Sequence, residues 1–173
     1  MVGDMEPRPC LDLSSIRIGH GRDIHRLYPG APLVLAGVDI PSPKGFDTHS
    51  DGDVVCHALV DAMAGALAEG DLGTHFPEDD PTTAKAKSLG FVQEFAAVVR
   101  VRGVQVVNVD AYVTTDLVRL RPYIEAMRRS LAGVLAIDIG RVSVKARSGD
   151  GLGPEGAGEA VSSNVAVLLL LPD

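Results

Sequence analysis

With 173 residues, 46% of them apolar, the chain can build one compact domain with a real core and is too short to suggest two. A net charge of −7 excludes nucleic acid as the main partner, because such binding rests on basic contacts to phosphate. The absence of Trp removes the usual stacking platform for bases. Cys10 and Cys56 form no CxxC pair, a usage that suits a reducing cytoplasm better than a disulfide framework. Residues 1–15 mix acids, Pro and Arg without a signal peptide's apolar run, and read as a flexible leader before a single domain over 16–173. The apolar run Val165–Leu170 is too short to span a bilayer, so no membrane partner is expected.

In chain order, Ile16–His25 begins as a strand whose glycines permit a bend or a close approach. Pro29-Gly30 is turn chemistry, Pro32–Ile40 reads as a second strand, and Pro41–Gly45 forces a loop. Val54 to about Glu69 is Ala-rich and helical, capped by Ser50 or Asp53 and stopped by Gly70. A loop follows through Pro81, and then Thr83–Arg102 carries an apolar stripe of helical period. Val104–Thr115 alternates as a strand, Arg121–Ala136 is a third helix, and Arg141–Ala146 is another strand. A glycine-rich loop, 149–158, leads to a buried final strand, Ser162–Leu170. The order β-β-α-α-β-α-β-β suggests an α/β (α+β) sandwich, a mixed sheet with helices packed on one face.

The stretch His49-Ser-Asp-Gly-Asp-Val-Val-Cys-His57-Ala-Leu-Val-Asp61 concentrates histidines and carboxylates. Upstream, Asp23 and His25 are two residues apart, and in an extended chain both side chains point the same way. With His57 in the first turn of the next helix, one carboxylate and two imidazoles make a three-ligand set suited to catalytic zinc. Asp61, four residues past His57, could hold its other ring nitrogen. The plainer reading is a capped helix with incidental histidines, in which Asp51 and Asp53 shape the turn. His49, in the loop, either donates to an anionic ligand or is simply solvated. The acids between Pro77 and Pro81 read as a solvated loop. Lys145 either reaches a phosphate or snorkels at a sheet edge. Gly149-Asp150-Gly151 either offers backbone N–H groups to a phosphate or is a tight turn.

Together these segments resemble the 2-C-methyl-D-erythritol 2,4-cyclodiphosphate synthase family of the non-mevalonate isoprenoid pathway. The carriers are "RIGHGRDIHRL", "AGVDIPSPKGFDTHSDGDVVCHALVDA", "GDLGTHFPEDDP", "NVDAYVTTDLVRLRPYIEAMR" and, more loosely, "VSVKARSGDGLG…GAGEA". The resemblance implies a homotrimer with each active site between two subunits, and one Zn2+ per subunit on Asp23, His25 and His57. It implies a CDP-linked methylerythritol 2-phosphate as substrate, cyclised with release of CMP, which makes the family phosphorus–oxygen lyases. Mg2+ or Mn2+ would bridge the substrate's diphosphate at Asp150, one methylene shorter than the family's usual Glu. Asp23, Ile24 and His25 would also meet substrate. His49 and Ser50 would face its methylerythritol phosphate end, with His49 and Ser148 stabilising the transition state. Asp71, Leu72 and Gly73 would contact the diol, and Phe76, Pro77, Glu78, Asp79 and Asp80 would line the same pocket. Thr115, Arg119, Leu120 and Arg121 would bind cytidine, with Arg119 where the family usually has Lys.

The chain departs from the family where three threonines usually precede the metal-binding acid, and here Arg147-Ser148-Gly149 precede Asp150. Pro154 replaces a usual Phe, and Ala157 replaces an Arg that often lines the trimer's central cavity. Two other functions are set beside the synthase: a zinc-containing homologue that binds a nucleotide or phosphorylated ligand without cyclising it, and a hydrolase using zinc-bound water with His49 as base.

Overall fold

The computed structural model describes residues 13–77, 79–81, 83 and 85–172. Most of the expected leader (residues 1–12, with Cys10) and Glu78 lie outside them. The strands are β1 (Ile16–Pro29), β2 (Val34–Leu35), β3 (Val38–Asp39), β4 (Lys44–Phe46), β5 (Gln105–Thr114), β6 (Val142–Arg147) and β7 (Ala160–Leu170). The helices are α1 (Val54–Ala66), α2 (Leu72–His75), α3 (Ser88–Val101), α4 (Ile124–Leu135) and α5 (Gly153–Gly156). Within the expected leader, Leu13–Ser15 is a 3-10 turn and Ser15 O accepts from Leu171 N at 2.9 Å.

Five strands form one sheet in the order β4-β1-β7-β5-β6. β5 and β6 run parallel and the other pairs antiparallel, so the sheet is mixed. The parallel pair needs a crossover, which α4 supplies. Alternation assigns the faces: Val161, Ser163, Val165, Val167 and Leu169 of β7 are buried under the helices, while Ala166 between them is exposed. α1 packs on β1 and β7, α4 on β6, and α3 touches both α1 and α4. The helical layer therefore covers one face, as alternation and order led one to expect.

Two glycines set how closely α1 approaches. A Cβ on Gly19 would lie 1.7 Å from Ala62 O, and one on Gly21 would lie 2.0 Å from Ala58 O. Strand backbone thus rests on helix backbone, and the first turn of α1 is carried over Asp23. Gly19→Ala is expected to push the helix outward at a cost of about 1–3 kcal/mol or more. Thermal melting of the variant should show a midpoint lowered by roughly 3–10 °C.

Several element boundaries differ from the sequence expectation. Pro32–Ile40 is not one strand but a hairpin, with Leu35 opposite Val38 and both turn residues, Ala36 and Gly37, at positive φ. The Asp53 carboxylate holds this turn, accepting from Ala36 N at 2.9 Å and Gly37 N at 2.6 Å. Pro41–Gly45 is not all loop, since Lys44–Phe46 pairs with the far end of β1, which itself runs on to Pro29. α1 stops before Gly70 because Ala68 turns left-handed (φ 58°) and Glu69 N bonds back to Ala64 O. α3 starts at Ser88 rather than Thr83, because its N-terminal N–H is capped from a distance by Asp51 at 3.1 Å. The short α2 and α5 carried no periodic signal. No helix among the described residues is long and apolar enough to cross a membrane.

Candidate metal centre and its flanking cavities

β1 presents Asp23 and His25 on the helix-covered face, and α1 lowers His57 onto them. Asp23 Oδ2 lies 3.0 Å from His57 Nδ1 and 3.5 Å from His25 Nε2. One ligand atom from each of the three residues falls within 4.8 Å of the others. That is a set one cation can bridge, with open positions left for a ligand. The remaining ring nitrogens are occupied: His25 Nδ1 is 2.9 Å from Gly52 O, and His57 Nε2 is 2.8 Å from Ser88 Oγ. Burial by itself raises the Asp23 carboxyl, but the His57 hydrogen bond and the two imidazoles outweigh it and leave the group below its ordinary value.

Asp61 does not reach the second nitrogen of His57 as its spacing suggested. Its carboxylate accepts from Leu72 N at 2.7 Å, tying α2 to α1, and burial raises its pKa. Asp53 caps α1 through Val55 N and Cys56 N, and its burial also pushes its carboxyl up against those bonds. The Cys56 thiol beside it is fully buried and raised well above its ordinary value by burial and the Asp53 charge.

The metal centre opens into a cavity of about 240 Å³ that His49, Ser50, Leu72, Phe76, Thr83 and Phe91 also line. His49 Nε2 sits 3.1 Å from Thr83 Oγ1, so the exposed loop histidine is tethered at the cavity wall. Ser50 Oγ turns inward, 3.3 Å from His57 Nε2 and 3.2 Å from Ser88 Oγ. Phe76 stacks on Phe91 at 4.7 Å. Asp71 caps α2 through Thr74 N at 2.9 Å; Gly73, Pro77 and Asp79 are exposed, and Asp80 belongs to the turn that closes on Thr83. Of the described residues expected to contact the diol or line its pocket, Leu72 and Phe76 line the cavity, and Asp71, Gly73, Pro77, Asp79 and Asp80 do not.

A second cavity, of about 750 Å³, is lined by Thr115, Arg119, Leu120, Arg121, Arg147 and Ser148 among others. Thr115, Arg119, Leu120 and Arg121 are the residues expected at the cytidine, and Ser148 is the hydroxyl expected at the transition state. The loop behind them is not an open anion nest. Gly149 N and Gly151 N donate to the two oxygens of Asp116 at 2.8 and 3.0 Å, and Ser148 also bonds that carboxylate and holds its pKa low. Asp150 adopts φ 55°, with its N–H on Ser148 Oγ at 2.8 Å, and its side chain is exposed. Lys145 is committed to Asp110 at 2.5 Å, which removes it as a phosphate ligand. Ile24 lies on the opposite face of the sheet from Asp23, 38% exposed. Pro154 sits in α5 and Ala157 caps its end.

The sequence alone singles out none of Ser88, Asp116 and Phe91. Ser88 carried one signal, a small hydroxyl residue ahead of an apolar stripe. Asp116 carried none, because its partners are more than thirty positions away.

A small α/β sandwich with a carboxylate and two imidazoles at the floor of an open cavity defines a class with a candidate cation site beside a ligand-sized cavity. The model of the YgbB family matches residues 16–170, and the chain belongs to that family. The 2-C-methyl-D-erythritol 2,4-cyclodiphosphate synthase of Trichlorobacter lovleyi is 43% identical over 155 residues, 90% of this chain and 99% of that protein. The synthase of Laribacter hongkongensis is 47% identical over 155 residues, 90% of this chain and 96% of its own. A solved structure of 2C-methyl-D-erythritol-2,4-cyclodiphosphate synthase in its CDP-bound form superposes with a TM-score of 0.82 at 37% identity, covering 88% of this chain and 99% of that one.

Proposed function

We propose that the chain is a 2-C-methyl-D-erythritol 2,4-cyclodiphosphate synthase. It converts the CDP-linked methylerythritol 2-phosphate to the cyclic diphosphate and CMP, as a phosphorus–oxygen lyase acting in the cytoplasm. The observation that carries this is the convergence of Asp23, His25 and His57 at the floor of a cavity. An oxygen of the 2-phosphate forms a bond to the β-phosphorus, the bond from that phosphorus to the oxygen shared with the α-phosphate breaks, and CMP leaves with that oxygen. No water enters the product.

Two phosphates repel, so the site must neutralise charge and align them. Three protein ligands with open positions fit Zn2+, which when bound polarises a phosphate oxygen as a Lewis acid. Asp150 offers one carboxylate, and Mg2+ or Mn2+ there would take its other ligands from phosphate and water. His49, held by Thr83, can donate to a phosphate in the first cavity, and Ser148 stands at the edge of the second. Arg119, Arg121 and Arg147 supply positive charge where a nucleotide diphosphate would lie.

We further propose a homotrimer with active sites between subunits. Asp23 is level with Ser163, Val113 and Ala146 across the sheet. Three strand spacings, roughly 14 Å, therefore separate the metal centre from the strand leading into Arg147 and Ser148. One chain does not bring its two half-sites together. The sheet face without helices, where Ile18 is 75% exposed, is available for packing against copies. A sedimentation mass near three times 18.1 kDa is expected.

The reaction is tested by 31P NMR of the purified protein with the CDP-linked substrate, zinc and magnesium. Cyclic diphosphate and CMP should appear together. A linear phosphate product would favour the hydrolase, and no turnover at saturating metal would overturn the synthase.

A further inference from the structure

We infer that Ser88 and Asp51 form a hydrogen-bond relay that accepts the Nε2 proton of His57 when Nδ1 takes a cation. The inference rests on the metal-binding reading above and assigns the outer partners which that reading leaves open.

An imidazole can bind a cation only through a nitrogen that carries no proton, so a ligand histidine must keep its proton on the other nitrogen. For His57 the nitrogen facing Asp23 and His25 is Nδ1, and the nitrogen facing away is Nε2. Nε2 meets a serine hydroxyl, which by itself fixes nothing because it can donate or accept. The neighbour of that hydroxyl decides the matter. Ser88 Oγ lies in a very short contact with Asp51 Oδ1, and an ionised carboxylate can only accept. The Ser88 proton therefore goes to Asp51, and the hydroxyl turns lone pairs toward His57. With a cation on Nδ1, His57 then donates from Nε2; without one, Nδ1 lies 3.0 Å from Asp23 Oδ2, a second acceptor for the ring proton.

The surroundings agree with this direction. Ser50 Oγ accepts from Gly52 N at 3.1 Å and lies 3.2 Å from Ser88 Oγ and 3.3 Å from His57 Nε2, so it closes the same group of hydroxyls around the ring nitrogen. Asp51 is fixed in turn by Ser88 N at 3.1 Å and Asp53 N at 3.3 Å. Ser88 is fully buried, so water does not compete for either role. His25 is treated in the complementary way, because its Nδ1 donates to Gly52 O and Nε2 is left facing Asp23. Both orienting acceptors thus come from the one turn Ser50–Asp53. That turn is the outer sphere of the metal centre, and Ser88 ties the centre to the start of α3. Ser88 and Asp51 are positioning residues: they act through His57 and touch neither substrate nor cation.

The test uses the full chain labelled with 15N-histidine. In the zinc-loaded wild type, long-range proton–nitrogen spectra should show the His57 proton on Nε2 and none on Nδ1. Finding it on Nδ1 overturns the relay without recourse to any variant. Zinc affinity, measured by chelator competition, should fall about 10–100-fold in Ser88→Ala, as for other outer-sphere losses. Ser88→Thr, which keeps the hydroxyl, should retain most of it. Asp51→Asn can donate to Ser88 and reverse the hydroxyl, so it should shift His57 toward the Nδ1–H tautomer. Wild-type zinc binding with no change in Ser88→Ala sinks the relay alone. A wild type that binds no zinc sinks the metal-binding reading and the relay with it.

Discussion

In His57→Ala, zinc binding falls below one ion per chain and turnover drops by two to three orders of magnitude. The substitution removes one of three ligand atoms and leaves Asp23 and His25, a pair that seldom retains zinc against a chelator. Loss of a mere outer partner costs about 10–100-fold in metal affinity, and loss of a ligand should exceed that. For the reaction, about 3–4 kcal/mol of charge stabilisation is expected to disappear with the cation, equivalent to roughly a hundredfold to a thousandfold in kcat. Folding is a separate matter: His57 is 9% exposed in the first turn of a helix capped by Asp53. The checks are zinc by elemental analysis, cyclic diphosphate by 31P NMR, and a melting curve of the metal-free chain. Full retention of zinc would remove His57 from the ligand set.

The largest loss of stability is expected from Asp53→Ala. One carboxylate at 0% exposure collects Ala36 N, Val55 N and Cys56 N on Oδ1, and Gly37 N and the Cys56 thiol on Oδ2. Truncation leaves those buried donors without an acceptor, at about 1–3 kcal/mol for each group that water cannot reach. The costs do not add fully, because the β2–β3 turn and the start of α1 can relax, so about 3–5 kcal/mol is expected. That is a large part of the stability of an ordinary domain, about 5–15 kcal/mol. Asp53→Asn keeps an oxygen for the α1 cap but turns an amide N–H₂ toward Gly37 N, so it should fall between. Denaturant titration of both variants measures the difference; an Asp53→Ala midpoint near wild type would refute this account.

Asp53 also shows what the sequence could and could not convey. Its work on α1 is local and was legible as a cap. Its hold on Ala36 and Gly37 spans sixteen to seventeen positions, and without it Ala-Gly is a weak signal for a turn with two positive φ angles. The stretch Pro32–Ile40 therefore read as one continuous strand. The start of α3 was misplaced for the same reason: Asp51 supplies the cap across thirty-seven positions, and nothing next to Lys87 announces it. The Asp23–His25–His57 cluster was legible because two of its members share a strand face and the third opens a helix, arrangements that depend only on local periodicity. Their outer partners were not. The four-residue spacing pointed to Asp61, but α2 takes that carboxylate, and a serine thirty-one positions away holds His57. In the 149–151 loop the sequence showed glycines free to bind an anion, and only the fold shows that Asp116 is that anion.

The direct rest of α1 on Gly19 and Gly21 also divides the molecule by how freely it can change. No side chain, however small, fits at either position without moving the helix, and the same strand continues two residues later into Asp23 and His25. Variation along β1 is thus penalised twice, once in packing and again at the ligands. Away from that contact, the loops after β5 and β6 present Arg119, Arg147 and Ser148 to the wider cavity. Descendants of this chain would explore new ligands through those loops while inheriting the metal end of the sheet unchanged.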